Sequence, residues 1–210
     1  MIITYFGKQF FKVTQGEMVI AFNPISKQSK SSKTGGARFG ADIALVTTNH
    51  PDYNGREGLS FGERVPFAIT GPGDYEIKEI FIKGLLSNAV LGGKKYINTI
   101  YSLAVDGINI LFLGALSDEE IAKESKEEIS DADILFVPVG GEGLLNAKAA
   151  AKLAAFFEPK LIIPMDYDEG SLKAFLKELG EEKAEVVEKL TLKRKDLEGK
   201  EGEVVVLKSS

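Results

Sequence analysis

Val46-Thr47-Thr48-Asn49-His50-Pro51-Asp52-Tyr53-Asn54 is the most informative segment of the chain. It continues an apolar run at 43–46 that reads as a short buried strand. His50 and Asp52 stand two positions apart, so an extended segment leaving a sheet presents both on one side. His50 is the only histidine of the 210 residues, and there is no cysteine. Disulfides, thiolate metal sites and cysteine nucleophiles are therefore excluded. Any Ser-His-Asp catalysis has to use His50, and any transition-metal site has to be built mainly from carboxylates. The plainer reading of His50 is a loop-end histidine held by backbone between Asn49 and Pro51.

The chain is 44% apolar and 27% charged, ordinary for a soluble globular protein, and long enough for a substantial core. A net charge of −5 gives no concentrated basic surface for phosphates, so nucleic acid is not expected as a partner. No apolar run approaches the roughly 20 residues that span a bilayer, so no membrane association is expected. Residues 1–13 lack the charged start and long apolar run of a signal peptide, and the expected location is cytoplasmic.

The first half reads as short strands at 2–6, 10–14 and 18–22, in a meander, then a Ser/Lys/Gly-rich loop at 27–40. Strands resume at 43–46, 67–70, 75–77 and 80–83, followed by a hairpin of 99–105 and 108–113 turned by Asp106-Gly107. From residue 118 the texture becomes alternating helix and strand. Helices are expected at 118–128 behind Ser117, at 147–157 behind Asn146, and at 171–179 ending at Gly180. Buried strands are expected at 134–137 and 161–163, with late strands at 186–187 and 204–207. Strands first and β-α alternation later predict an α/β (α+β) chain, a four-layer αββα sandwich. No repeat or linker divides it, so residues 1–210 are expected to form a single domain.

An ordered set of segments carries a resemblance. It comprises Thr4-Tyr5-Phe6-Gly7-Lys8, Phe22-Asn23-Pro24, Thr70-Gly71-Pro72-Gly73-Asp74-Tyr75-Glu76-Ile77, Asn98-Thr99-Ile100-Tyr101, Leu113-Gly114, Val137-Pro138-Val139-Gly140-Gly141 and Ile163-Pro164-Met165-Asp166-Tyr167. With the opening stretch, these resemble the metallo-β-lactamase superfamily, in its small ascorbate-6-phosphate-lactonase-like branch of zinc-dependent hydrolases. The resemblance implies the metallo-β-lactamase-like sandwich and two metal sites. In its frame His-x-His-x-Asp-His becomes Thr48, His50, Asp52 and Tyr53. The later histidines fall near Ala89 and at Asp166, the bridging Asp at Ala115, the histidine after Gly7 at Lys8, and the Asp of the Asp-Pro turn at Asn23.

The departures all fall on the implied site. One metal keeps His50 alone; the other keeps Asp52 and Asp166, without the bridge. A catalytic zinc site uses three protein ligands and a water, and neither half reaches three. Without metal, nothing lowers a water's pKa toward about 7, so the nucleophile implied by the resemblance is absent. The expectation is a catalytically degenerate pseudo-hydrolase. Its vestigial site is Thr48, His50, Asp52, Tyr53, Ala115 and Asp166, with no cofactor and with the scaffold binding a small molecule or protein partner. Lys8 or Lys94-Lys95 is expected to neutralise the remaining carboxylates. The alternative is a residual hydrolase of a small phosphorylated or lactone substrate. It would hold one divalent ion (Zn, Mn or Mg) on His50, Asp52 and Asp166, with Tyr53 polarising the substrate. A homo-oligomer using a sheet edge or helix face is a further possibility. The Gly140-Gly141-Glu142-Gly143 segment reads as a tight strand-to-helix turn.

Overall fold

The computed structural model describes residues 1–31, 39–119, 129, 131–140 and 143–210. Two sheets face each other. The first has six strands, β1 (Ile2–Tyr5), β2 (Phe11–Gln15), β3 (Met18–Phe22), β4 (Ile43–Leu45), β5 (Phe67–Ile69) and, at its other edge, β13 (Lys189–Thr191), in the order β13-β1-β2-β3-β4-β5. The second has eight: β6 (Gly73–Ile77), β7 (Ile80–Leu91), β8 (Lys94–Val105), β9 (Ile108–Phe112), β10 (Ile134–Pro138), β11 (Leu161–Met165), β12 (Glu185–Val187) and β14 (Glu203–Leu207). Their order is β12-β14-β11-β10-β9-β8-β7-β6.

Side-chain alternation divides the second sheet between two cores. Ile134 and Phe136 of β10 enter the core between the sheets, with Phe11, Phe22 and Leu45 of the first sheet. Leu135 and Val137 turn the other way, onto helix α1 (Ala147–Phe157) and Phe175 of helix α2 (Glu169–Leu179). A strand buried on both faces has no polar side, and all five residues of β10 are buried. Rings interlock at the centre: Phe22 stacks on Phe112 at 4.7 Å, and Phe11 meets Phe136 edge-on at 4.8 Å.

Asn146 caps α1, accepting the Ala149 N–H at 2.9 Å, as its sequence predicts. Helix α2 starts two residues earlier than expected because Asp168, in a capping box with Ser171, takes the N-cap position. Both helices cover the outer face of the eight-stranded sheet. The outer face of the six-stranded sheet is covered, among the described residues, by Phe39 and Leu59 packed with Phe6 and Phe10 rather than by an α-helix.

The Asp106-Gly107 hairpin forms as expected between β8 and β9. The segments expected at 80–83 and 99–105 instead belong to two twelve-residue strands paired from Ile82–Leu103 to Leu91–Lys94. Strand β13 was not expected from sequence. The helix expected at 118–128 and the loop at 27–40 fall largely on residues 120–128 and 32–38, outside the described residues, as do Gly141 and Glu142. No described helix is long and apolar enough to cross a membrane.

Candidate functional site

The opening stretch leaves β4 as a tight turn, in which His50 N–H donates to the Thr48 carbonyl and Tyr53 N–H to that of His50, both at 2.8 Å. The turn sends successive side chains to different neighbours. Thr47 and Thr48 point into the buried seam between the sheets, Tyr53 closes over it, and His50 and Asp52 stand half-buried at the rim.

At the centre of the seam is Asp166, at the end of β11, whose side chain is only 5% exposed. Lys8 Nζ lies 3.2 Å from its Oδ1. Its Oδ2 accepts from the Tyr53 hydroxyl at 2.7 Å and from Gln9 Nε2 at 3.1 Å. The backbones join as well, the Asp166 N–H donating to the Lys8 carbonyl at 2.8 Å. A buried carboxylate with three donors, one of them cationic, is a satisfied group.

Hydrogen bonds continue from Gln9 across the sandwich. Asn23 Nδ2 donates to Gln9 Oε1 at 2.8 Å and to Thr47 Oγ1 at 2.9 Å, while Asn23 Oδ1 accepts the Thr47 N–H at 2.8 Å. Thr47 and Thr48 hydroxyls lie 3.5 Å apart, and Thr48 donates to Asn98 Oδ1 at 3.0 Å. Asn98 Oδ1 also accepts the Ala115 N–H, and its Nδ2 donates to Ser87 and to the Leu113 carbonyl. One polar chain thus links strand ends of both sheets. Lys8, Asn23 and Asp166 all adopt left-handed backbone, with φ of 53°, 43° and 52°. Such conformations cluster where surrounding contacts over-determine the chain.

The remaining vestigial positions are apolar. Tyr53, Ala89, Leu91 and Ala115 pack into one buried cluster with Tyr96 and Leu144 against it. Burial pushes the Tyr53 phenol well above its ordinary range, and the adjacent Asp166 charge adds to this. Burial does the same to Tyr5, aided by Tyr167 and Asp166.

The structure brings His50 and Asp52 together but gives Asp166 to a different set of partners. His50 Nδ1 lies 3.9 Å from Asp52 Oδ2 and accepts the Asp52 N–H at 3.3 Å, leaving the hydrogen of a neutral ring on Nε2. Asp52 also accepts from the Ser29 hydroxyl. Among the described residues, no three His, Cys, Asp or Glu side chains gather as a metal-holding group. An ammonium already stands against Asp166, and alanines fill two of the positions the resemblance gives to ligands. These residues do not fit a metal pair.

Neither Gln9 nor Asn98 is marked as a site residue by the sequence, although both are wholly buried. The available signal was an asparagine beside the apolar run Ile100-Tyr101, where a side amide must find buried partners.

A sandwich with its polar seam at the strand ends, entered by the loop after β4, defines the metallo-β-lactamase-type architecture. The chain belongs to the β-lactamase superfamily: residues 2–166 match the family described as the beta-lactamase superfamily domain. It is 20% identical over 195 residues to a UPF0173 metal-dependent hydrolase of Salinibacter ruber, spanning 80% of this chain and 85% of that one. Among solved structures it resembles a candidate zinc-dependent hydrolase of the metallo-β-lactamase superfamily from Thermotoga maritima. The TM-score is 0.77, with 26% identity over 98% of this chain and 97% of the other. A metal-dependent hydrolase candidate from Parabacteroides distasonis shares the fold, with a TM-score of 0.63, 20% identity, and coverage of 85% and 89%.

Proposed function

We propose that this chain is a pseudo-hydrolase of its superfamily, which has exchanged a metal centre for an internal ion pair and acts by binding a ligand or partner. The observation that carries the reading is Lys8 at 3.2 Å from Asp166. A divalent ion at that carboxylate would face an ammonium at contact distance, and it would find alanine at positions 89 and 115. The ammonium supplies positive charge where a metal would otherwise supply it, while Tyr53 and Gln9 both donate to the other oxygen of Asp166. No hydrolytic step follows from such a site, because no group in it generates a strong nucleophile from water.

A second reading has its own support, since the relatives above carry the name metal-dependent hydrolase. In that reading His50, Asp52 and Asp166 hold one ion after Lys8 moves aside. Metal content by elemental analysis separates the two. The protein is purified without chelator and measured again after dialysis against Zn²⁺ and against Mn²⁺. Stoichiometry near zero in all three samples supports the pseudo-hydrolase; one equivalent, lost in Asp166→Ala, overturns it in favour of the hydrolase.

A further inference from the structure

A cleft of about 450 Å³ opens beside the loop after β4, apart from the polar chain. Val46 and Thr70 place it at the carboxyl ends of β4 and β5, which run parallel. Crevices outside the carboxyl ends of parallel strands are where open α/β sheets receive ligands. Its size lies within the usual range for small-molecule sites. None of its lining residues belongs to the chain from Lys8 to Asn98, nor to the positions the resemblance assigns to metal.

The wall of the cleft carries one charge of each sign. Arg56 and Glu57 are neighbours on a short 3₁₀ turn, Arg56–Gly58. The Arg56 guanidinium has no ion-pair partner among the described residues, and it is exposed. Glu57 accepts from the Ser26 hydroxyl through Oε1 at 2.8 Å, which orients the carboxylate and leaves Oε2 to accept another donor. Uncharged amides line the same cleft. The Asn54 side chain donates to Asn49 Oδ1 at 2.8 Å, so that bond leaves the Asn49 amide donors and the Asn54 amide oxygen available to other partners, and Gln28 adds a third amide.

We propose that this cleft binds a small zwitterion, with the chemistry of a free polar α-amino acid. Its carboxylate sits on the Arg56 fork, its ammonium on Glu57, and its polar side chain among the amides. A guanidinium presents paired donors that match a carboxylate. A bare anion would satisfy Arg56 but meet Glu57 with like charge, and a bare cation would do the reverse. The lining is polar apart from Val46, which disfavours an apolar side chain. The proposal deepens the ligand-binding reading above, on which it rests, and gives it a site and a ligand class.

The test is amide NMR titration of the full chain with three probes: L-glutamine, D-gluconate (an anion without ammonium) and putrescine (a cation without carboxylate). The wild type, Arg56→Ala and Glu57→Gln are compared. Glutamine is expected to shift signals of the loop residues 46–57 at millimolar concentration. Because both charges are exposed and screened, each substitution is expected to weaken its binding roughly two- to fivefold. Gluconate and putrescine should each bind more weakly than glutamine. The proposal is overturned if glutamine produces no shifts, if gluconate or putrescine binds as tightly, or if neither substitution alters the affinity. Arg56 makes no side-chain bond within the described residues, so its alanine variant is expected to melt with the wild type. Metal content is read on other residues, so a zinc-loaded protein would overturn the pseudo-hydrolase and leave this result standing.

Discussion

Lys8 is where the chemistry of the site turns. Removing one partner from a fully buried ion pair costs about 3–5 kcal/mol, whereas an exposed pair contributes about 0–1 kcal/mol. This pair is intermediate, with Asp166 at 5% and Lys8 at 38% side-chain exposure. Lys8→Met is therefore expected to lower stability by about 2 kcal/mol in urea denaturation. Lys8→Met with Asp166→Asn should recover most of that loss, since the neutral amide leaves no buried charge behind. A Lys8→Met protein as stable as the wild type would mean that Tyr53 and Gln9 suffice for Asp166, and the ammonium's role would fall. Tyr53 and Asp166 were legible because each stands at a position where the resemblance places a ligand, and Lys8 and Asn23 because each replaces a residue of the resemblance's motifs. Gln9 and Asn98 became partners only through tertiary contact: Gln9 meets Asp166 across 157 residues of chain. No local pattern encodes that meeting.

At the scale of elements, the β7–β8 hairpin is the largest feature that sequence reading cut short. Period-2 alternation fails there for a physical reason. Ile80 and Ile82 face the core between the sheets, whereas Leu85, Ala89 and Leu91 are buried on the opposite face. Between them Ser87 and Asn98 are buried polar residues in register with each other. A strand that changes its buried face midway and carries buried amides does not read as a half-buried strand. By contrast, α1 and the β8–β9 turn were legible because their caps and turn residues act locally. The apex of the long hairpin, Gly92-Gly93, has φ of 54° and 75°, a conformation natural to glycine in a two-residue turn. A Cβ at either position meets nothing within 4 Å, so any loss there comes from backbone conformation alone. Gly93→Val should lower stability by about 1–2 kcal/mol, with Gly93→Asn losing clearly less. Equal losses for the two in thermal melts would show that side-chain contact, not backbone geometry, sets the constraint.

For the whole molecule, the buried phenols set an alkaline limit. Burial raises Tyr5, Tyr53 and Tyr101 well above the ordinary tyrosine value, with negative neighbours adding to the first two and Tyr75 to the third. Two of them tie the sandwich together, Tyr53 bonding Asp166 and Tyr101 the Val46 carbonyl across the two sheets, while Tyr5 fixes the β1–β2 connection through the Lys8 carbonyl. The sign follows from proton linkage. Below about pH 10 both folded and unfolded chains keep these protons, so the full stability is present. Above it the unfolded chain releases them while the folded chain retains them, and stability falls as pH rises. Each phenol contributes a slope of about 1.4 kcal/mol per pH unit, so three together remove about 4 kcal/mol per unit. A domain with the usual stability of about 5–15 kcal/mol is exhausted within a few pH units above 10. Tyrosinate absorbance and far-ultraviolet circular dichroism, followed together, should therefore show these phenols ionising in the same cooperative step that loses the sheets. Ionisation of all six tyrosines near pH 10 with the dichroism unchanged would mean that the seam admits hydroxide and water. The tightly closed polar chain between Lys8 and Asn98 would then be untenable, and with it the argument that an internal ion pair has replaced a metal centre.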